Sequence, residues 1–158
     1  MTQQPPDLSR RIADRLLLLI LLPIVLPLAL LALVIYVCHR LALYMLVWVL
    51  WLPRGKNALV VYSDSPIWQE YMLTHVMPLI KEHAIVLNWS ERNKWPRWSF
   101  RVHVFHWFAG DREFNPIVIL FRPLRRARVF RLWSAFKEWK RGNEQAVEGL
   151  RQELLSAL

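Results

Sequence analysis

Leu16 to Cys38 reads LLLLILLPIVLPLALLALVIYVC, 23 residues without a single charge. At about 1.5 Å of rise per residue, a helix of this length crosses a hydrocarbon core of about 30 Å. Two other origins of such a run fit poorly. A signal-peptide core is about 7–15 residues long and ends at a small-residue cleavage site, whereas here apolar sequence resumes at Leu41. A core helix that is apolar on every side needs a large protein around it, and only about 100 residues follow Pro53. The stretch therefore predicts a transmembrane helix over 16–38, preceded by a polar tail at 1–15.

Outward from it, His39 and Arg40 interrupt the run, and LALYMLVWVLWL then leads from Leu41 to Leu52 and stops at Pro53. A single helix over 16–52 would be about 55 Å long, about 25 Å more than the hydrocarbon core. In some registers it would also bury Arg40, at a cost of about 2.5–3.5 kcal/mol. The expectation is a break at His39 and Arg40, which lie at headgroup level. A second, interfacial helix over 41–52 then places Tyr44, Trp48 and Trp51 where amphipathic rings are favoured. A re-entrant hairpin bent at Pro23 and Pro27 is the alternative, and its first leg would be too short to cross. The anchor thus covers 16–52 and leaves 57–158 as one small domain.

Orientation is nearly balanced: Arg10, Arg11 and Arg15 flank one side of the run, and Arg40, Arg54 and Lys56 the other. Two features favour the cytoplasm for the domain. The only cysteine is Cys38, so no intrachain disulfide demands an oxidising compartment. From Pro53 onward the chain also carries 17 Lys/Arg against 10 Asp/Glu. Basic excess beside a membrane anchor points to the lipid bilayer and its anionic headgroups as partners. A membrane protein partner fits the same surface. Nucleic acid is disfavoured, because no nucleic-acid-binding motif accompanies the charge.

In the domain, ALVVY at 58–62 is a strand. Ser63-Asp64-Ser65-Pro66 is a turn that opens a helix, with Ser65 or Asp64 as cap and Pro66 at its first position. Trp68, Met72, Val76 and Leu79 recur at helical spacing as a core stripe, and Pro78 kinks or restarts the helix. AIVLNW at 84–89 is a second strand, parallel to the first across this crossover. Residues 90–98 read as a loop. Phe100, Val102 and Val104 alternate with Arg101, His103 and Phe105, which predicts a third strand over 99–107. Gly110-Asp111 marks a turn, and PIVILF at 116–121 is a fourth strand, antiparallel to the third if adjacent. Residues 125–141 read as a helix with Val129, Leu132, Trp133, Phe136 and Trp139 on one arc, and 145–155 as a last amphipathic helix. The fold expected is α/β: a transmembrane helix plus an interfacial helix, then a small mixed-sheet domain of order β-α-β-β-β-α-α. Its βαβ-ββα order is similar to that of thioredoxins, with a loop in place of the second helix and no redox cysteine pair. The opening VVYSDSP is similar to the start of flavodoxin-like or TIR-like domains. No motif specific to any of these families accompanies the likeness, so no family follows from it.

Ligands of open α/β sheets sit beyond the carboxyl ends of parallel strands. That edge would present Ser63, Asp64 and Ser65 after the first strand, and Asn88, Ser90, Glu91 and Arg92 after the second. A phosphate pocket with Arg92 as counter-charge is one reading. Ordinary capping is favoured over it, since Asp64 would repel an anion and no Gly-rich loop is present. A Ser-His-Asp set with Ser63 or Ser65 and Asp111 lacks a G-x-S-x-G elbow. His103 and His106 would face opposite sides of a strand, and His75 and His83 lie on an interrupted helix, so no metal site and no cofactor are expected. The run Arg122-Pro123-Leu124-Arg125-Arg126-Ala127-Arg128 places cations at a helix N-terminus, where the macrodipole disfavours them. Arg122, Arg125, Arg126 and Arg128 are therefore the expected anion or headgroup contacts. The function expected is a non-catalytic accessory or scaffolding role at the membrane surface. A membrane-bound enzyme acting on a phosphorylated or lipid-linked substrate, with Ser63, Asp64, Glu91 and Arg92 as its candidate residues, is the alternative.

Overall fold

The computed structural model describes residues 8–96, 98–110 and 115–158, with side chains from Leu21 onward. Residues 1–7 of the tail and Asp111 lie outside them. Two compact units divide the chain, Met1–Tyr44 and Met45–Leu158.

A single helix, α1, runs from Leu8 to Leu50, with Pro23 and Pro27 inside it. It is long and apolar enough to cross a membrane. The expected break into a spanning and an interfacial helix is absent: hydrogen bonding continues through His39 and Arg40, where the Arg40 guanidinium donates to the Tyr36 hydroxyl at 3.2 Å. An i, i+4 polar pair gives the arginine a partner on its own helix, so no turn is needed. What changes after this point is burial. Every residue from Leu21 to Cys38 is exposed, whereas Val47 and Trp51 are buried. A 3-10 turn, Leu52–Arg54, ends at Gly55 in the left-handed region (φ 69°), where glycine avoids a Cβ clash.

The second unit is built on a four-stranded sheet of order β2-β1-β3-β4. Its strands are β1 Ala58–Tyr62, β2 Ala84–Asn88, β3 Ile117–Leu120 and β4 Arg128–Arg131. β1 pairs parallel with β2 and antiparallel with β3, and β3 pairs antiparallel with β4. Ala58 to Val61 and Ile117 to Leu120 are buried throughout, as continuous apolar runs in the middle of a sheet must be. Both faces of the sheet therefore need cover. Ala58, Val60, Val118 and Leu120 join one core with the crossover helices and the two C-terminal helices. Those are α5, Leu132–Lys140, and α6, Gln145–Ser156.

The other face is covered by α4, Phe100–Ala109, where the sequence predicted a strand. Val102, Val104, Phe105, Phe108 and Ala109 are buried, a helical i, i+3, i+4 pattern that the alternation over 100–105 concealed. Phe108 meets Phe121 at 5.1 Å. The second correction concerns residues 125–141. They do not form one helix: β4 takes Arg128–Arg131 and α5 begins at Leu132. The order is thus β-α-β-α-β-β-α-α, with the helix α4 in place of the third strand expected and β4 as an added edge strand.

The crossover also differs from a plain helix. α2 (Gln69–Tyr71) passes into a π segment, Met72–Val76, closed by the Met77 N–H donating to the Met72 carbonyl. α3 (Met77–Ile80) follows, with Pro78 in its first turn. The extra residue shifts the buried stripe to Met72, Val76, Met77 and Ile80, and Leu79 is exposed instead.

Candidate functional site

The carboxyl ends of β1 and β2 hold a polar network. Asn88, the last residue of β2, donates Nδ2 to both carboxylate oxygens of Asp64 at 3.0 Å. Gln69 Nε2 donates to Asp64 Oδ1 at 3.2 Å. The Asp64 N–H donates to Ser90 Oγ at 3.0 Å, and the Ser90 N–H to Asn88 Oδ1 at 2.9 Å. Ser63 is 9% exposed, and its Oγ accepts from Trp68 Nε1 at 3.2 Å and Asn115 Nδ2 at 2.8 Å. Asn115 precedes Pro116 across a cis peptide bond, and its Oδ1 is buried without a partner. The Tyr62 hydroxyl is pushed above its usual pKa by burial first and by the Asp64 charge second. Ser65 Oγ accepts from the Ile67 N–H at 3.4 Å, a weak turn contact ahead of α2.

Glu91 and Arg92 do not join this network. Glu91 pairs with Lys94 at 3.2 Å on the surface. The Arg92 guanidinium lies 5.2 Å from the Trp89 ring centre and donates to the Trp89 carbonyl at 3.4 Å. It lines a cavity of ≈ 360 Å³ with Trp95, Pro96 and His106. Ser63 and Asp64 on one side, and Glu91 and Arg92 on the other, are thus engaged with different partners. On α4, His103 and His106 are three apart on a helix and face the same side, not opposite sides. Among the described residues, no three His, Cys, Asp or Glu side chains form a group that could hold a metal.

The opposite end of the sheet is basic. A groove of ≈ 700 Å³ is lined by Leu52, Gly55, His83, Phe121, Arg122 and Arg125, among others. Arg54 donates to the Leu50 carbonyl and Lys56 to the Glu82 carbonyl, each at 2.7 Å. Arg122 donates to the Ala157 carbonyl. These acceptors carry no formal charge, and none of the three cations is in an ion pair among the described residues. Arg125 and Arg126 lie in the β3–β4 connection, with no side-chain partner among the described residues. Arg128 differs: it opens β4, pairs with Glu153 at 2.8 Å and lies over the Phe130 ring. The warrant expected for these arginines, cations at a helix N-terminus, does not hold, because no helix starts there. Arg54, Lys56 and His83 are not legible as a group in the sequence, since only the sheet register brings 54–57 and 83 beside 121–125.

No protein-family model, curated protein or solved structure matches this chain.

Proposed function

We propose that the chain is a membrane-anchored accessory or scaffolding protein without catalytic activity, whose α/β domain works at the membrane surface. What carries the reading is that the candidate side chains do not converge: Ser63 and Asp64 bond to Trp68, Asn115, Asn88 and Gln69, whereas Glu91 pairs with Lys94 and Arg92 lies over Trp89. A catalytic set needs its groups converging on one substrate position. The apolar α1 supports the anchor, and the absence of any disulfide requirement together with the basic domain supports a cytoplasmic side. The bilayer, its anionic headgroups and a membrane protein are the partners this surface suits.

Two measurements test the reading. Alkaline carbonate should leave the intact chain in the membrane pellet, and its release into the supernatant overturns the anchor. The full chain in nanodiscs should show no thermal shift with inorganic phosphate, nucleotides or a polyprenyl phosphate. A shift of several degrees that is lost in Asp64→Asn would instead favour an enzyme acting on a phosphorylated or lipid-linked substrate.

A further inference from the structure

We infer that the end of the sheet next to the C-terminus of α1 is a bilayer-seating face, with Trp98 and Leu124 as its apolar contacts and Arg125 and Arg126 as its headgroup contacts. This rests on the membrane-anchored reading above and gives that reading a specific surface. Trp98 stands two residues before Phe100, whose ring meets Trp51 at 5.4 Å. Leu124 stands three residues after Phe121, whose ring meets Trp51 at 5.8 Å. Both loops therefore hang beside Trp51, the first residue after α1.

Among the described large apolar side chains these two are the most exposed, Trp98 at 98% and Leu124 at 89%. Leu124 also takes a left-handed backbone (φ 56°), which bulky residues avoid. A turn shaped for water alone would carry Gly or Asn at that position. The neighbouring cations complete the surface: the Arg125 and Arg126 side chains have no partner among the described residues, and Arg54 and Lys56 give their donors to uncharged carbonyls.

The occupant is an anionic bilayer because the apolar surface of the helix continues to this end. Met45, Leu46, Val49 and Leu50 are all exposed in the last two turns of α1. With α1 tilted, headgroup-level lipid that covers them reaches Trp51 and hence both loop tips, and Arg40, bonded to the Tyr36 hydroxyl, snorkels toward the same headgroups. Tryptophan favours the headgroup zone, and arginine beside it is drawn to anionic lipid.

The test uses the full chain with Cys38→Ser, so that single cysteines can carry an environment-sensitive fluorophore. Labels at Trp98→Cys and Leu124→Cys should be quenched by nitroxide lipid in bilayers containing phosphatidylserine. A label at Glu91→Cys, beyond the other end of the sheet, should not. Adding Arg125→Gln and Arg126→Gln should lower the docked-to-undocked ratio by about fivefold per arginine, and added salt should mimic them. Equal quenching in neutral and anionic bilayers, or no change in the double variant, overturns the headgroup contacts. Labels at 98 and 124 that stay in water while the chain resists carbonate overturn the seating face and leave the anchor standing. Release by carbonate overturns both.

Discussion

Side chains at the two ends of one sheet treat their polar groups in opposite ways. Beyond β1 and β2, Asp64, Asn88, Ser90 and Gln69 bond to one another. At the other end Arg54, Lys56 and Arg122 donate to main-chain carbonyls, and the Arg125 and Arg126 side chains have no partner among the described residues. A network of mutual hydrogen bonds contributes to folding. Cations on neutral acceptors contribute little to folding and keep their long-range field. The end that carries the candidate catalytic side chains is thus the internally bonded one, and the arginine run is the end whose cations, Arg128 apart, form no ion pair among the described residues.

The largest expected effect breaks the comparison where it is most exposed to error, at the basic end. If that end owes its order to rings and not to charges, Trp51→Ala should be severe. Trp51 is 5% exposed and edge-on to both Phe100 and Phe121. Its loss should cost about 3–5 kcal/mol, read by denaturant unfolding of the chain in detergent. A cost under 1 kcal/mol would mean that the aromatic seam is not what holds the loops.

The next effect sets the two ends side by side. Asp64→Ala strips Asn88 and Gln69 of their acceptor and should cost about 1–2 kcal/mol. Arg125→Gln with Arg126→Gln should change stability by less than about 0.5 kcal/mol. The reverse ranking in the same unfolding assay would invert the assignment of the two ends.

Smaller effects sharpen the contrast on the helical face, away from both ends. The Glu148 carboxyl is held below its usual pKa chiefly by the hydrogen bonds from Arg151, at 2.7 and 2.8 Å. A lowered folded-state value means that the stabilisation is present above the ordinary carboxylate value, about 4.3. It is lost as pH falls through the lowered one. Arg151→Gln should therefore lose less stability than the parent between pH 6 and pH 3, and parallel curves would show that the pair is inert.

Least of all should Tyr71→Phe matter at neutral pH, because the hydroxyl is buried without a partner. The change should be near zero or slightly stabilising, within about 0.5 kcal/mol. Burial first, and the Glu148 charge second, raise the Tyr71 pKa. Stability tied to the neutral ring is therefore complete below about pH 10 and lost as pH rises through the raised value. The phenylalanine variant should show a flatter alkaline limb in the same unfolding assay.

How much of this was legible in the sequence depended on whether one period fitted alone. ALVVY and AIVLNW, short β-branched runs bounded by turn signals, gave both strands and their parallel pairing, the first with its observed bounds and the second one residue too long, since Trp89 belongs to the 3-10 turn that follows. FRVHVFHWFA is so rich in apolar residues that periods of 2 and 3.6 both fit its first half, and only the need to cover the second face of the sheet decides for a helix. RVFR merged with the helix behind it because a four-residue edge strand has no room to establish its own alternation. For the site, Ser63 and Asp64 were findable as strand-end residues. Asn115 was not, because it lies 52 positions from Ser63 and reaches it only through the antiparallel return of β3.

The π segment at Met72–Val76 is a spare residue held within a helix. Deleting Leu73, Thr74 or His75 would let α2 and α3 join in one α-helical register, kinked at Pro78, which has no N–H to donate. Trp68, Met72, Val76, Met77 and Ile80, all buried, would then stand at i, i+4, i+7, i+8 and i+11, the spacing of an uninterrupted apolar stripe. Most helices cannot shed a residue, because everything after the gap turns by about 100° away from the core. This crossover should behave the other way: a one-residue deletion there keeps the same set of side chains in register with the sheet.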